Sequence, residues 1–163
     1  MTEPDVLLCK IITHELEIDR DRVVVYDQDY DPPKDDLLYI VVSTRKSKPL
    51  SVSNVFDYKT NEEVSTVITY DNFDIDITSK NRDAIERKEE VLMALTSFYS
   101  IEQQELNSIK IFRTGDMIDL SFIEAASALK RFRISGIISN IKEKRKAAAY
   151  FDKFRTQGVI QEE

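Results

Sequence analysis

The hydrophobic spacing of this chain changes near residue 80 from a period of two to one near 3.6, which limits the folds open to it. Before the change, "EEVSTVITYDNFDIDITS" (62–79) alternates, most clearly at Phe73, Ile75 and Ile77, as a strand with one buried face does. "LSVSNVFDYKT" (50–60) alternates in the same way, and "LLYIVVSTRKS" (37–47) is β-branched and apolar enough for a central strand. These three segments predict an antiparallel meander over 37–78. After the change, Ala84, Ile85, Lys88, Val91, Leu92, Leu95 and Phe98 share one helical face, which Ser79 or Asn81 can cap. One long central helix is expected there. A short helix over 101–106 follows, started by a Ser100–Gln103 capping box.

Both ends carry signals of the same two kinds. Thr2 can cap an N-terminal helix with Pro4 and Asp5 in its first turn, an apolar stripe of Val6, Leu7, Ile11, Ile12 and Leu16, and an end near Ile18. "RVVVY" (22–26) reads as a short buried strand, and the prolines of "DQDYDPPKDD" impose an extended acidic loop over 27–36. "IKIFR" (109–113) is another strand, and Ser121 with Glu124 fits a capping box for a helix in "SFIEAASAL". "KRFRISGIISNI" alternates, with Phe132, Ile134 and Ile138 on one face and Arg131, Arg133 and Ser139 on the other. A basic turn at 142–147 then leads to a last strand within "AAYFDKFRTQGVI". No repeat or linker divides the 163 residues. A single α+β domain over 1–163 is expected, its mainly antiparallel sheet packed against the N-terminal helix and the long central one.

Residue types exclude most enzyme chemistries. Hydrophobic content of 42% with charged content of 33% indicates a folded, soluble chain. No apolar run nears the roughly 18 to 20 residues that cross a bilayer. The acidic start "MTEPDVLLCKII" lacks the basic region and cleavage site of a signal peptide. Cys9 is the only cysteine, which rules out an internal disulfide or a cysteine-based zinc site, and it is expected to pack as a small buried hydrophobe. His14 is the only histidine, so an H-E-x-x-H zinc helix cannot form and a nucleophilic triad has no support near it. Three dispersed glycines build neither a phosphate loop nor a dinucleotide fingerprint. Asp27, Asp29 and Asp31 alternate as in a calcium loop, but Pro32 stands where that loop needs Gly and Leu38 where it needs Glu. A solvated loop is preferred there to a weak divalent site. Asp74, Asp76 and Lys80 can be drawn as a metal-nuclease site, yet their spacing favours a polar strand face equally well. No cofactor and no metal is expected.

Charge is unevenly placed. Residues 1–36 hold 11 acids and 4 bases, and residues 110–155 hold 11 bases and 5 acids. Such polarity fits either directional association between copies or two solvated segments of opposite sign. The basic stretch "LKRFRISGIISNIKEKRK" also invites a salt-sensitive, sequence-blind contact with nucleic acid, against which stands the net charge of −7.

One resemblance runs through most of the chain. A strand, the helix "RDAIERKEEVLMALTS", then "IFRTGDMIDLS", "LKRFRISGIISNI" and "YFDKFRTQGVI" follow one another as in the neck and tail-terminator proteins of tailed bacteriophages, which they resemble. "DRVVVYDQDYDPPKDDLLYIVV" is similar to the early segment of those proteins, and the most specific motif is Arg113-Thr114-Gly115-Asp116 with Asp119-Leu120-Ser121. The resemblance implies a non-enzymatic virion protein of the tail or neck, assembled in the host cytoplasm. It implies a homo-oligomeric ring, commonly hexameric, that caps the tail tube. Its partners would be the tube protein and a head-completion or connector protein, with DNA passing the lumen without specific binding and no membrane involved. The interface residues expected from this are Arg113, Asp116, Asp119, Arg131 and Arg133, with Asp27, Asp29 and Asp31 second. Each can equally be a solvated residue or a turn contact. The alternatives are another neck or tail component, or a nucleic-acid-associated, metal-dependent enzyme using 130–146 and the strand carboxylates.

Overall fold

Three strands of this protein far outrun the helices packed on them. The computed structural model describes residues 3–26, 33–113, 115–121 and 129–147, with backbone alone at Lys46 and Arg113. The elements are α1 (Pro4–Leu16), a single 3-10 turn (Arg20–Arg22), β1 (Val23–Val25), β2 (Tyr39–Asp57), β3 (Glu62–Ser79), α2 (Asp83–Leu95), α3 (Phe98–Leu106), β4 (Ile109–Arg113), β5 (Ile118–Asp119) and β6 (Lys130–Ala147). The sheet runs β1-β2-β3-β6-β4, with β5 also on β6. Among the described residues only the β1–β2 pair is parallel, and the other pairs are antiparallel. At about 3.3 Å per residue the 18 residues of β3 span about 60 Å, whereas the 13 of α1 cover about 20 Å.

The helices cover one end of one face. Leu7, Leu8, Ile11, Ile12 and Leu16 of α1 meet Ala84, Val91, Ala94 and Leu95 of α2 over Ile40, Val42, Phe73, Ile75, Ile77, Phe132, Ile134 and Ile138. Each of the Val, Leu, Ile and Phe side chains among them, fully buried, contributes roughly 1.5 to 3 kcal/mol relative to exposure. Val6 is an exception to the expected stripe and lies on the outer side of α1, 44% exposed. Cys9 packs against this core at its margin, and burial pushes its thiol up to about 12. The Arg87 guanidinium donates to the Leu16 carbonyl at 2.7 Å, satisfying one of the carbonyls left open at the end of α1. Gly136 has no Cβ because Phe73 lies against it: a Cβ there would sit 2.3 Å from the ring Cζ.

Several expectations are corrected. The expected long central helix is the 13-residue α2, which stops at Leu95, and the second, short helix begins at Phe98 rather than 101. Ser97, not Ser100, is the cap, its Oγ accepting from Ser100 N at 3.0 Å, and Phe98 leaves the shared face to stand 93% exposed. Ser79 and Asn81 both serve the start of α2, Ser79 Oγ accepting from Ala84 N and Asn81 Oδ1 from Asp83 N. The three-strand meander of 37–78 is one hairpin of two strands, because Pro49 does not end β2. By residue 49 the β1 pairing (up to Val42) has finished, so β2 is an edge strand there; the missing N–H is absorbed beside register shifts at 45/47 and 49/51. Residues 142–147 are strand rather than turn, since they pair with Glu62–Val67 of β3. The expected Thr2 cap, the 27–32 part of the acidic loop, the helix in 122–128 and the last strand in 148–160 lie outside the described residues. Among the described residues no helix is long and apolar enough to cross a membrane.

Candidate assembly surface

Beyond the helices, β2 from residue 47, β3 up to residue 68 and β6 from residue 141 continue as a single-layer blade. The register assigns its faces. Val55 opposes Val64, and Ile68 opposes Ile141, on the face away from the helices; Val52 opposes Val67 on the other. Val52 and Val55 are 69% and 61% exposed, so neither face of the blade is buried. Toward the core, Tyr70, Ile137 and Phe112 extend the apolar strip, the Tyr70 and Phe112 rings meeting edge-on at 6.4 Å. Both outer edges of the blade are without a partner strand among the described residues. The β2–β3 turn holds its shape through Asp57 Oδ1, which accepts from Lys59 N at 2.9 Å, and Asn61, which takes the left-handed conformation at φ 54°. The hydrogen bond from Lys59 N leads the effects that hold the Asp57 carboxyl below its usual range.

Nearer the base, the face away from the helices carries a ladder of ions. Arg133 grips Asp76 with two donors, Nε to Oδ1 and Nη2 to Oδ2, both at 2.7 Å, and Arg131 adds a third at 3.0 Å. Asp74 accepts from Ser135 Oγ at 2.6 Å and faces Arg45 at 2.9 Å. Burial resists ionisation of Asp76, but the hydrogen bonds of Arg133 and Arg131 outweigh it and hold the carboxyl below its usual range. Arg133 is raised in return, first by its hydrogen bond to Asp76. These fork-shaped contacts engage the two carboxylates drawn as a nuclease site, and Lys80 faces Asp36 instead. No cluster of three metal-ligating side chains forms among the described residues.

Of the expected interface residues, Asp119 on β5 pairs with Phe132, which stands between Arg131 and Arg133 on β6. Arg131 and Arg133 are spent on Asp76. Gly115 adopts φ 78°, as a tight corner requires, and Asp116 beside it is exposed. The hydrogen bond that fixes this corner comes from Asp119, whose Oδ1 accepts from Ser121 N at 2.9 Å; the Ser121 side chain leads the causes that hold Asp119 low. Met117 packs against the core, whereas Ile118 is exposed. The Arg113 backbone pairs with Gly136; its side chain, like Asp27, Asp29 and Asp31, is outside the described residues. His14 sits on α1 stacked on Tyr99 at 3.7 Å, with Glu15 beside it. Sequence reasoning missed the blade. Its signal is that apolar residues fall on both alternations, Val52 with Val55 and Val64 with Val67, as no strand covered on one face would have them.

No protein-family model and no curated protein matches the chain. Among solved structures it is similar to the PVC sheath/tube terminator of an extracellular contractile injection system in its extended state. The identity is 14% and the TM-score 0.48, over 99% of this chain and 65% of that one. The chain thus spans about 65% of the length of that protein.

Proposed function

We propose that this chain is a structural subunit of a tail-like assembly, a ring-forming terminator that caps a tube and joins it to a connector. One observation carries the reading: the outer parts of three strands are built as a single layer with apolar side chains on both faces and, among the described residues, two unpaired edges. A surface of this kind is a liability on a lone chain and an asset when a neighbour fills it. The sequence resemblance to neck and tail-terminator proteins supports the particular assembly. The hexameric ring, the tube and connector partners, passage of DNA through the lumen and a place in a phage virion are part of the same proposal. Native mass spectrometry at micromolar concentration, with negative-stain imaging of purified tubes, tests it. Closed oligomers or capped tube ends are the expected result. A chain that stays monomeric and leaves tube ends uncapped overturns it.

The nucleic-acid reading draws on the basic end of β6, Lys142, Lys144, Arg145 and Lys146, all exposed. Arg145 lies within 4 Å of Asp57, Glu62 and Glu143, so its charge is partly answered within the blade. A gel shift at low salt with Lys142→Ala, Lys144→Ala and Lys146→Ala separates the two. Binding that those changes abolish without unfolding the chain would favour the second reading.

A further inference from the structure

Helix α3 turns its polar side inward and its apolar side out. The inward groups are engaged within the chain: Ser100 Oγ donates to the Leu95 carbonyl at 2.9 Å, Gln103 Oε1 accepts from Lys10 Nζ at 2.8 Å, and Gln104 Oε1 accepts from Ile111 N at 2.8 Å. The outward side carries Phe98, Ile101, Glu102, Glu105 and Leu106, which share one helical face and are all exposed. Phe98 and Leu106 stand 93% and 72% open. A surface helix ordinarily buries its apolar stripe, and a stripe turned to solvent marks a contact. α3 holds no basic residue, so Glu102 and Glu105 make the stripe acidic as well as apolar.

The helix-facing side of the blade has the complementary chemistry. Val52, Phe56 and Val67 lie on it with Lys142, Lys144 and Lys146, all three lysines exposed. Register sets Lys142 opposite Val67 and Lys144 opposite Ser65, and only Lys146 stands opposite an acid, Glu63. Lys142 also lines a hollow with Asp5, Asp71 and Arg45 at the foot of the blade, which leaves Lys144 the least answered. Arg145 and the acids around it, Asp57, Glu62 and Glu143, belong to the other face. No described helix lies over the lysine side, although α1 and α2 cover the same side of the sheet at its base. The chain's own α3 does not cover it. Just after α3 the Ser108 carbonyl accepts from Ile141 N at 3.4 Å, which holds the helix end at the blade's foot, and the stripe is on the side away from the core.

We propose that the outward stripe of α3 in one copy docks on the helix-facing side of the blade in the next. Phe98, Ile101 and Leu106 meet Val52, Phe56 and Val67, and Glu102 and Glu105 meet Lys142 and Lys144. This rests on the self-assembling reading above and names the two surfaces that meet. The neighbour's helix then supplies over the blade the layer that α1 and α2 supply over the base. The two surfaces differ, so the contact repeats head to tail with a fixed rotation and closes into a ring when that rotation allows.

Charge exchange tests it. Lys142→Glu with Lys144→Glu reverses the blade, and Glu102→Lys with Glu105→Lys reverses the stripe. Each reversal is expected to raise the concentration needed for assembly, alone or on purified tubes, at least ~10-fold, with the unfolding midpoint unchanged. The chain carrying all four changes is expected to recover most of that loss. Independently, in a Cys9→Ala background, a flexible bis-maleimide should join Ile101→Cys to Val52→Cys in a ladder of dimers, trimers and higher species. Each single-cysteine variant gives dimers at most, and the ladder decides where a reversal lowers the unfolding midpoint. Reversals without effect, no recovery in the four-change chain, or assembly of normal mass without a ladder each overturn the contact and leave the ring reading standing. A wild-type chain that neither assembles nor caps tubes overturns both.

Discussion

The two halves of β3 share a composition and differ in everything that composition does not set. Phe73, Ile75 and Ile77 alternate with Asp74 and Asp76, and the apolar set is fully buried under α1 and α2. Val64, Val67 and Ile68 belong to the same strand, in the same ladder with β2 and β6, and no described helix lies over them. Alternation and β-branching make a residue fit for a pleated sheet. Whether a second layer covers that sheet depends on where the helices end, some 20 Å along a strand of about 60 Å.

The difference can be broken most forcefully in the covered half. Phe73→Ala is expected to destabilise by about 3 to 5 kcal/mol, through lost transfer and an unfilled cavity. Chemical denaturation measures this, and a loss under about 1 kcal/mol would mean the ring is not enclosed as described. Gly136→Ala acts on the same contact from the other side. The added methyl meets Phe73 and the Phe112 carbonyl oxygen, so a loss of about 1 to 3 kcal/mol is expected from overpacking. In the Phe73→Leu background the Gly136→Ala penalty should shrink, and purely additive losses would show that the two do not touch.

The ion ladder gives an effect of intermediate size with a pH signature. Asp76→Asn removes the charge that receives three guanidinium hydrogen bonds, with an expected loss of roughly 1 to 3 kcal/mol at neutral pH. Asp76 is held low in the folded chain. Its contribution is present above the unfolded value near about 3.9 and is lost as pH falls through the folded one. Wild-type stability should therefore decline on acidification below about pH 4 more steeply than that of Asp76→Asn. Parallel acid limbs would exclude the ladder as a source of stability.

Ser97→Ala should cost about 1 kcal/mol by removing the cap of α3, a local change in the covered end. Val52→Ala, on the blade, should stay within about 0.5 kcal/mol in the monomer. Hydrogen exchange sharpens the same contrast: amides of 73–79 are expected to be protected in every state, and those of 50–56 to gain protection only on assembly. Equal protection of both halves in the monomer would erase the distinction drawn between them.

Much of this protein is legible in the order of its residues. The α+β class, the buried strand at Val23–Val25, and the split of 130–139 into Phe132, Ile134 and Ile138 against Arg131 and Arg133 all follow from period and polarity, because those are properties of neighbours within one element. Even the cap at Ser79 or Asn81 was readable, since capping reaches only a few residues. Three features were not. Residues 37–47 and 50–60 read as separate strands, but Pro49 between them is tolerated within one strand because the neighbouring strand β1 is too short to reach it. The engagement of Arg131 and Arg133 by Asp76 is another, because the register of β3 against β6 sets Asp76 opposite Arg133. The 142–147 run reads as a basic turn, but the length of the β2–β3 hairpin lets it continue as strand. Each depends on residues distant in sequence being brought side by side. Local pattern therefore determined which segments are strands and which face they prefer, and tertiary pairing alone decided how far the strands run and what, if anything, covers them.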